Sequence, residues 1–180
     1  MKRLTLFRHA KSGWDEPVAR DFDRPLNRRG ERAAALMGQY ARDRGIKFDL
    51  IVASPAVRVG ETIDKFVDSY GKSPETIWDR RIYLASAGTL TDVIMDISDS
   101  ADAVLMAGHN PGLEDLILTL VPDDGSNPLR DAVEMKFPTA SLAVLEFDID
   151  HWSEAEGHKA RLASFVRPRD LDPALGPEAF

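Results

Sequence analysis

The fold is decided by a short stretch near the start of the chain, Leu4-Thr5-Leu6-Phe7-Arg8-His9-Ala10-Lys11-Ser12. Its apolar run is typical of a buried parallel strand, with Arg8-His9 at the carboxyl end. Two later apolar runs end in the same way, one in Ser54-Pro55-Ala56-Val57-Arg58 and the other in Gly108-His109-Asn110-Pro111-Gly112. Open α/β sheets bind ligands at the carboxyl ends of their strands. The sequence therefore predicts that these three junctions meet at one site.

The rest of the chain alternates between strand and helix patterns, which predicts an α/β protein. We expect a three-layer α/β/α fold around a mostly parallel sheet, with room for a late antiparallel strand at the edge. The expected strands are 4–9, 49–53, 76–78, 103–107, 140–147 and 161–166, and the expected helices include 28–44 and 90–98. Residues 1–167 are predicted to form a single domain. The proline-rich residues 168–180 are predicted to be a C-terminal tail, laid on the surface or disordered.

Polar residues mark the expected helix starts. Asn27 is predicted to cap the first helix, Ser54 to cap the next with Pro55 in its first position, and Asn110 to cap the helix that contains Pro111. The starts after Ser54 and Asn110 leave backbone N–H groups unpaired and carry partial positive charge. Both helices can therefore help to hold an anion at the predicted site.

The junctions supply four side chains that suit a phosphoryl group: Arg8, His9, Arg58 and His109. Arginine offers forked donors matched to phosphate oxygens, and histidine can act as donor, base or nucleophile. Arg58 lies one turn inside its helix, and helical side chains lean toward the N-terminus, so its guanidinium can reach the same anion. The alternatives are a solvated Arg58 paired with Glu61 or Glu31, and histidines that only satisfy backbone groups in loops.

Composition excludes several other classes. The net charge is −7 and the 23 Lys and Arg residues are scattered, so no basic stripe suggests nucleic acid. Cysteine is absent, which excludes thiolate nucleophiles and cysteine-based zinc sites. There is no His-x-Asp or HExxH pattern for a metal, no signal peptide pattern and no apolar run long enough for a bilayer. We expect a cytoplasmic protein that uses no metal or cofactor and binds neither membrane nor nucleic acid.

At this point the motifs resemble a known family, the histidine phosphatase superfamily, and within it the short bacterial SixA-type phosphohistidine phosphatases. The resemblance covers about residues 3–170 and rests on the three junctions, on Arg24-Pro25-Leu26 followed by Arg29-Gly30, and on Phe165-Val166-Arg167-Pro168. It implies a phosphoglycerate-mutase-like fold and a metal-independent hydrolase. It also implies that His9 is the nucleophile that becomes phosphorylated, while Arg8, Arg58 and His109 bind the phosphate.

The chemistry of the residues agrees with those roles. To attack phosphorus, His9 must be neutral at the attacking nitrogen, so its other ring nitrogen is expected to donate to a backbone carbonyl. Arg8, Arg58 and a protonated His109 are then expected to neutralise charge on the phosphoryl oxygens.

The proton donor is the one role that the resemblance does not assign. Mutase-like members carry a glutamate donor after the third strand, whereas residues 79–86 here contain none. Asp21 and Asp23 are substitutes by type, and the alternative is that both are loop carboxylates paired with Arg20 or Arg24. Three further residues are candidates for the mouth of the pocket: Lys11, Ser12 and Trp14. His151 and His158 are expected to be solvated.

Three functions remain open from the sequence. The first is a phosphatase for phosphohistidine in proteins, acting through a covalent intermediate on His9 and releasing inorganic phosphate. Its partner would be a phosphohistidine-bearing domain of phosphorelay or phosphotransfer signal transduction. The second is a small-metabolite phosphomonoesterase or a phosphoglycerate-mutase-like enzyme on the same fold. The third is a non-catalytic phosphate-binding module, which would need the arginines but not a nucleophile.

Overall fold

The computed structural model describes residues 1–14, 17–18, 20–157 and 159–177, and one six-stranded sheet runs through them. The strands are Lys2–Arg8 (β1), Leu50–Ala53 (β2), Glu75–Trp78 (β3), Ala103–Gly108 (β4), Leu142–Phe147 (β5) and Arg161–Val166 (β6). Their order is β3-β2-β4-β1-β5-β6. The first four in that order are parallel neighbours, whereas β5 is antiparallel to both β1 and β6. The mostly parallel sheet is confirmed, with its antiparallel strand one position in from the edge.

Six α-helices within the described ranges cover the two faces of this sheet. They are Arg28–Asp43 (α1), Val57–Tyr70 (α2), Ala87–Met95 (α3), Gly112–Leu120 (α4), Pro128–Met135 (α5) and Pro168–Leu171 (α6). Side chains alternate along β1: Phe7 packs with α1 and α2, whereas Leu4 and Leu6 pack with α3, α4 and α5. The three-layer fold is therefore confirmed. None of the described helices is long and apolar enough to cross a membrane.

The helix starts agree only in part with the predicted caps. Asn27 caps α1 as predicted, accepting a hydrogen bond from Gly30 N at 2.8 Å. The prediction for Ser54 is wrong, because α2 begins at Val57 and Ser54 is fully buried before it. Asn110 lies two residues before α4, yet its side chain still accepts from Glu114 N at 3.2 Å. The buried hydroxyl of Ser54 accepts from the N–H of Ala56, just before α2, at 3.3 Å and does not cap the helix itself.

Gly30 places the start of α1 against the loop that follows His9. A Cβ atom at this position would lie 2.1 Å from the carbonyl oxygen of Lys11, which is far inside van der Waals contact. The backbone of Asn27 also donates to this carbonyl, at 3.0 Å. Glycine is therefore required here because the two backbones touch, and the contact fixes the loop that carries Lys11 and Ser12.

The described part of the predicted tail is folded. Pro168–Leu171 forms α6, which packs against α1, and the 3-10 turn that follows at Pro173–Leu175 packs against α6. Arg29 of α1 donates to the carbonyl of Gly176, and Arg32 pairs with Asp172 at 3.4 Å. Residues 178–180 lie outside the described residues. The tail therefore lies on the surface as far as it is described, and the domain boundary at residue 167 stays a prediction.

Candidate active site

Strand register brings the three sequence junctions to one edge of the sheet. Arg8 lies opposite Gly108 in the β1–β4 pair, so His9 and His109 leave neighbouring strands side by side. Because Ala53 lies opposite Ala107, Ser54 emerges at the same edge. The antiparallel strand β5 starts there too. Just before it, the N–H of Ala140 donates to the carbonyl oxygens of Arg8 and His9, each at 3.0 Å.

These junctions surround a pocket of about 380 Å³, which we call the histidine pocket. All four predicted residues line it: Arg8, His9, Arg58 and His109. The two imidazole rings have centroids 5.4 Å apart, and Arg58 Nη2 lies 3.3 Å from His109 Nδ1. The structure therefore brings together every residue that the sequence predicted to hold the phosphoryl group.

His9 is held in one tautomer by the backbone of the next residue. Its Nδ1 lies 2.7 Å from the carbonyl oxygen of Ala10, and because a carbonyl only accepts, Nδ1 carries the proton. Burial, together with the charges of nearby arginines, lowers the pKa of His9 to about 4, although the Ala10 bond raises it. The imidazole is therefore neutral at pH 7, and Nε2 is the ring nitrogen left with a lone pair. The expected bond to a backbone carbonyl is present.

His109 is neutral as well in this pocket, and the protonated form expected beside a phosphoryl group stays a prediction. Its Nδ1 accepts from Arg58, which fixes the proton on Nε2, and Nε2 donates to Ser54 Oγ at 2.8 Å. Burial is the largest cause that lowers the pKa of His109 to about 3, and charge on His9 and Arg58 adds to it. The sequence could not indicate this, because the cause is enclosure by residues from other strands. His109 can donate to an anion only after protonation or reorientation.

Arg58 is 2% exposed, so its charge is desolvated. It donates to the carbonyl of Asp21 at 2.8 Å and to the carboxylate of Asp21 at 3.0 Å. The alternative pairing with Glu61 or Glu31 is wrong, because Glu61 accepts from Leu26 N and Glu31 pairs with Lys65.

Each of the two arginines of the site has an N–H donor that makes no hydrogen bond to the described residues. Arg8 Nε and Arg58 Nε are buried and have no acceptor among the described residues. Burial is likewise the largest cause that lowers the pKa of Arg8, with the charge of Arg58 acting in the same direction. Two desolvated guanidinium groups at one edge therefore favour an anion between them.

The structure separates the two candidate proton donors. Asp21 lines the histidine pocket, whereas Asp23 does not and pairs with Arg20 at 2.9 Å. Burial raises the pKa of Asp21, but hydrogen bonds from Tyr83 at 2.7 Å and Arg58 outweigh it and hold that pKa below its usual range. Asp21 is therefore a carboxylate at neutral pH and a poor acid.

Tyr83 is one residue beside this site that the sequence analysis missed. Its hydroxyl orients Asp21, and its ring meets His109 edge to face with centroids 5.3 Å apart. It lies in residues 79–86, the segment that lacks a glutamate. Leu84, next to it, lines the pocket with a φ of +49°, a strained backbone that is common at functional sites.

The remaining candidates fall into two groups. Lys11 and Ser12 line the histidine pocket as predicted. Trp14 does not line it, is 73% exposed, and has the Arg24 guanidinium 3.9 Å from its ring centroid. His151 is exposed and 3.0 Å from Asp99, and His158 lies outside the described residues. No group of three or more His, Asp or Glu in the described ranges is placed to hold a metal ion.

The two buried histidines make stability depend on pH. The unfolded imidazole has a pKa of about 6.5, against about 4 for folded His9 and about 3 for folded His109. Between those values the unfolded chain binds protons that the folded chain does not, so stability is lost as pH falls below 6.5. From pH 7 to pH 5 we expect His9 to account for about 2 kcal/mol of this loss.

Urea unfolding at both pH values measures this loss, and His9→Gln should reduce it by the amount assigned to His9. His151→Gln, an exposed control, should not. An unchanged pH slope in His9→Gln would show that His9 is not buried in its neutral form.

Comparison with known proteins agrees with this geometry. The family model of the histidine phosphatase superfamily (branch 1) matches residues 4–81. An uncharacterised protein of Mycobacterium tuberculosis (strain H37Rv) is 33% identical over 164 residues, covering 90% of this chain and 99% of that protein. The crystal structure of a proposed phosphohistidine phosphatase, SixA from Agrobacterium tumefaciens, is 30% identical with a TM-score of 0.77, covering 93% of this chain and 98% of that one.

A second proposed SixA, from Nakamurella multipartitia, is 27% identical with a TM-score of 0.82, over 93% of this chain and 96% of that one. The fold, the arrangement of the two histidines and two arginines, and these relatives all lead to one assignment. The chain belongs to the histidine phosphatase superfamily.

Proposed function

We propose that this protein is a phosphatase that removes the phosphoryl group from phosphohistidine in a protein, through a phosphohistidine intermediate on His9. The observation that carries the proposal is the state of His9: a neutral ring with its proton fixed on Nδ1 by the Ala10 carbonyl, beside the buried guanidinium of Arg58 and the half-buried side chain of Arg8. A phosphate-binding module needs the guanidinium groups but gains nothing from such a histidine. A nucleophile needs both.

In the first step His9 Nε2 attacks phosphorus, and the bond between phosphorus and the substrate imidazole breaks. When the other nitrogen of the substrate imidazole is protonated, this ring leaves as neutral imidazole and no further proton is required. His9 keeps its Nδ1 proton and becomes a phosphorylated imidazolium, which the Ala10 carbonyl stabilises through its hydrogen bond. Arg8 and Arg58 neutralise charge on the transferring phosphoryl oxygens.

In the second step water attacks phosphorus, the bond to His9 Nε2 breaks, and dihydrogen phosphate is released. Both protons of the water stay on the product, so neutral His9 is restored without any proton transfer to the protein. Both steps thus proceed without metal, cofactor or a strong general acid. This fits a pocket in which Asp21, the carboxylate among the described lining residues, is already charged.

The partner in this proposal is a phosphohistidine-bearing domain of a phosphorelay or phosphotransfer system in the cytoplasm. The relatives named SixA support that choice. Hydrolysis of an alkyl phosphate, the alternative, would need a protonated acid near the leaving oxygen.

The test is to incubate the protein with a histidine phosphotransfer domain that has been phosphorylated by phosphoramidate. We expect the phosphohistidine to disappear and inorganic phosphate to form in equal amount. Arg58→Gln should lower kcat/KM by about 10² to 10³, the usual effect of removing one donor to a transition-state oxyanion. Arg28→Gln, an exposed change of the same type on α1, should leave it unaltered. A phosphodomain that stays phosphorylated while aryl phosphates are hydrolysed would contradict the proposal.

A further inference from the structure

A second pocket of about 290 Å³ lies beside the histidine pocket, and the proposed mechanism does not use it. It lies between Arg29 and Ala33 of α1, the segment from Lys136 to Thr139 before β5, and the folded tail from Arg167 to Pro177. We call it the arginine pocket.

Positive charge dominates the lining of this pocket. Six cationic side chains line it: Arg8, Lys11, Arg29, Lys136, Arg167 and Arg169. In the part of the chain that the structure describes, no aspartate or glutamate lines it. The whole chain has 23 Lys and Arg residues and a net charge of −7, so a concave site with six of these cations departs sharply from the average surface. Like charges gathered in one concavity repel each other, and a bound anion removes that repulsion.

The hydrogen bonds that hold Arg8 and Arg29 orient these two side chains without neutralising them. Arg29 donates to the carbonyl of Gly176, and Arg8 donates to the carbonyl of Phe137 at 2.9 Å. Carbonyl oxygens carry no formal charge, so both guanidinium groups keep theirs. Among these cations, Arg167 has a carboxylate partner, Asp170, at 2.8 Å. The pocket therefore contains oriented donors whose charge is only partly compensated.

The two pockets are adjacent and share part of their lining. Arg8, Lys11 and Thr139 line both of them, and Arg8 Nε is buried with no acceptor among the described residues. A phosphoryl group at His9 and an anion in the arginine pocket would thus lie on either side of Arg8. Apolar atoms of Ala33, Leu175 and Pro177 line the rest of the arginine pocket, which suits the carbon chain that joins two anionic groups.

We propose that the arginine pocket binds a second anionic group, a phosphate or a carboxylate, of the same substrate molecule whose phosphoryl group lies at His9. The inference rests on the proposed function for the position of that first group. On a phosphohistidine protein the second group is an aspartate or glutamate side chain close to the phosphohistidine. On a small molecule it is a second phosphate.

The test uses alkane bisphosphonates with linkers of two to eight methylenes as inhibitors of aryl phosphate hydrolysis, against monophosphonates of equal length. We expect one linker length to inhibit at least about tenfold more tightly than its monophosphonate, because the second group binds intramolecularly. The double variant Lys136→Gln, Arg169→Gln should remove most of this advantage. Lys47→Gln removes one charge from an exposed residue that lines neither pocket and should retain the advantage. If the double variant fails to fold, the exposed Lys136→Gln alone should reduce the advantage.

Equal inhibition by both series at every length, or an advantage that survives in the variants, would overturn the inference.

Phosphohistidine peptides flanked by Glu or by Gln identify the source of the second group. Faster hydrolysis of the Glu peptide assigns it to a protein, and a bisphosphonate advantage without that difference assigns it to a small molecule. Hydrolysis of both peptides with no bisphosphonate advantage would refute the second pocket and leave the proposed function standing. Tighter inhibition by a bisphosphonate, with neither peptide hydrolysed, would support the second pocket and refute the proposed function.

Discussion

His9→Ala is expected to lose turnover by several orders of magnitude and to lose the covalent phosphoenzyme completely, because it removes the nucleophile itself. In the unaltered protein, brief incubation with a ³²P-labelled substrate should place a label on His9 that is stable to alkali and labile to acid. Peptide mapping under alkaline conditions locates it. EDTA should change neither label nor rate.

The matched control is His151→Ala, which removes an exposed imidazole that lines neither pocket. It should label and turn over as the unaltered protein does. His109→Ala makes a second comparison, because it removes an imidazole from the same pocket and leaves Nε2 of His9 in place. We expect slower labelling that still occurs on His9. Metal-dependent turnover that survives in His9→Ala would refute the mechanism.

Much of the site could be predicted because its residues have local signatures. His9 and His109 each follow a buried apolar strand directly. The strand register then places the two histidines side by side, because Arg8 and Gly108 are neighbours across β1 and β4. The N-cap of α1 is likewise predicted by a local signature, the asparagine at position 27. In each case the information lies within a few residues of the feature it predicts.

What the sequence could not give depends on residues far apart in the chain. The contact between Tyr83 and Asp21 joins positions 62 residues apart, and no local pattern links the two. The charge state of His109 follows from burial and from Arg58, not from its own neighbours. The arginine pocket combines cations from Arg8 to Arg169, which appear scattered when read in order. Local patterns cannot predict such assemblies because tertiary packing alone brings their members together.

The expected substrate depends on one local feature and on one feature of the assembled pocket. The missing glutamate in residues 79–86 can be seen in the sequence, but only the assembled pocket reveals that Asp21 does not replace it as an acid. Tyr83 and Arg58 both donate to this carboxylate, and their bonds hold its pKa below the usual range. A leaving group that needs a proton therefore does not obtain it from Asp21, whereas one that leaves as a neutral ring does not need a proton.

We therefore expect kcat/KM on a phosphohistidine domain to exceed that on 3-phosphoglycerate or a sugar phosphate by at least about a hundredfold, or about 2.7 kcal/mol of transition-state stabilisation. An alkoxide leaves with a conjugate acid near that of water, whose pKa is about 15.7, whereas protonated imidazole has a pKa of about 6.5. An aryl phosphate, with a leaving group of intermediate basicity, should fall between them. Initial rates of phosphate release on all three substrates measure the ratio.

Asp21→Asn tests the cause of this preference, because it removes the charge while keeping a side chain of similar shape beside Arg58. If Asp21 supplies no proton, the variant should change the rates on the phosphohistidine domain and on the sugar phosphate by similar factors, and their ratio should stay within about threefold. Asp23→Asn, the matched change outside the histidine pocket, should alter neither rate. A sugar phosphate hydrolysed as fast as the phosphohistidine domain, with that activity lost selectively in Asp21→Asn, would identify Asp21 as a general acid. Such a result would favour the metabolite phosphatase instead.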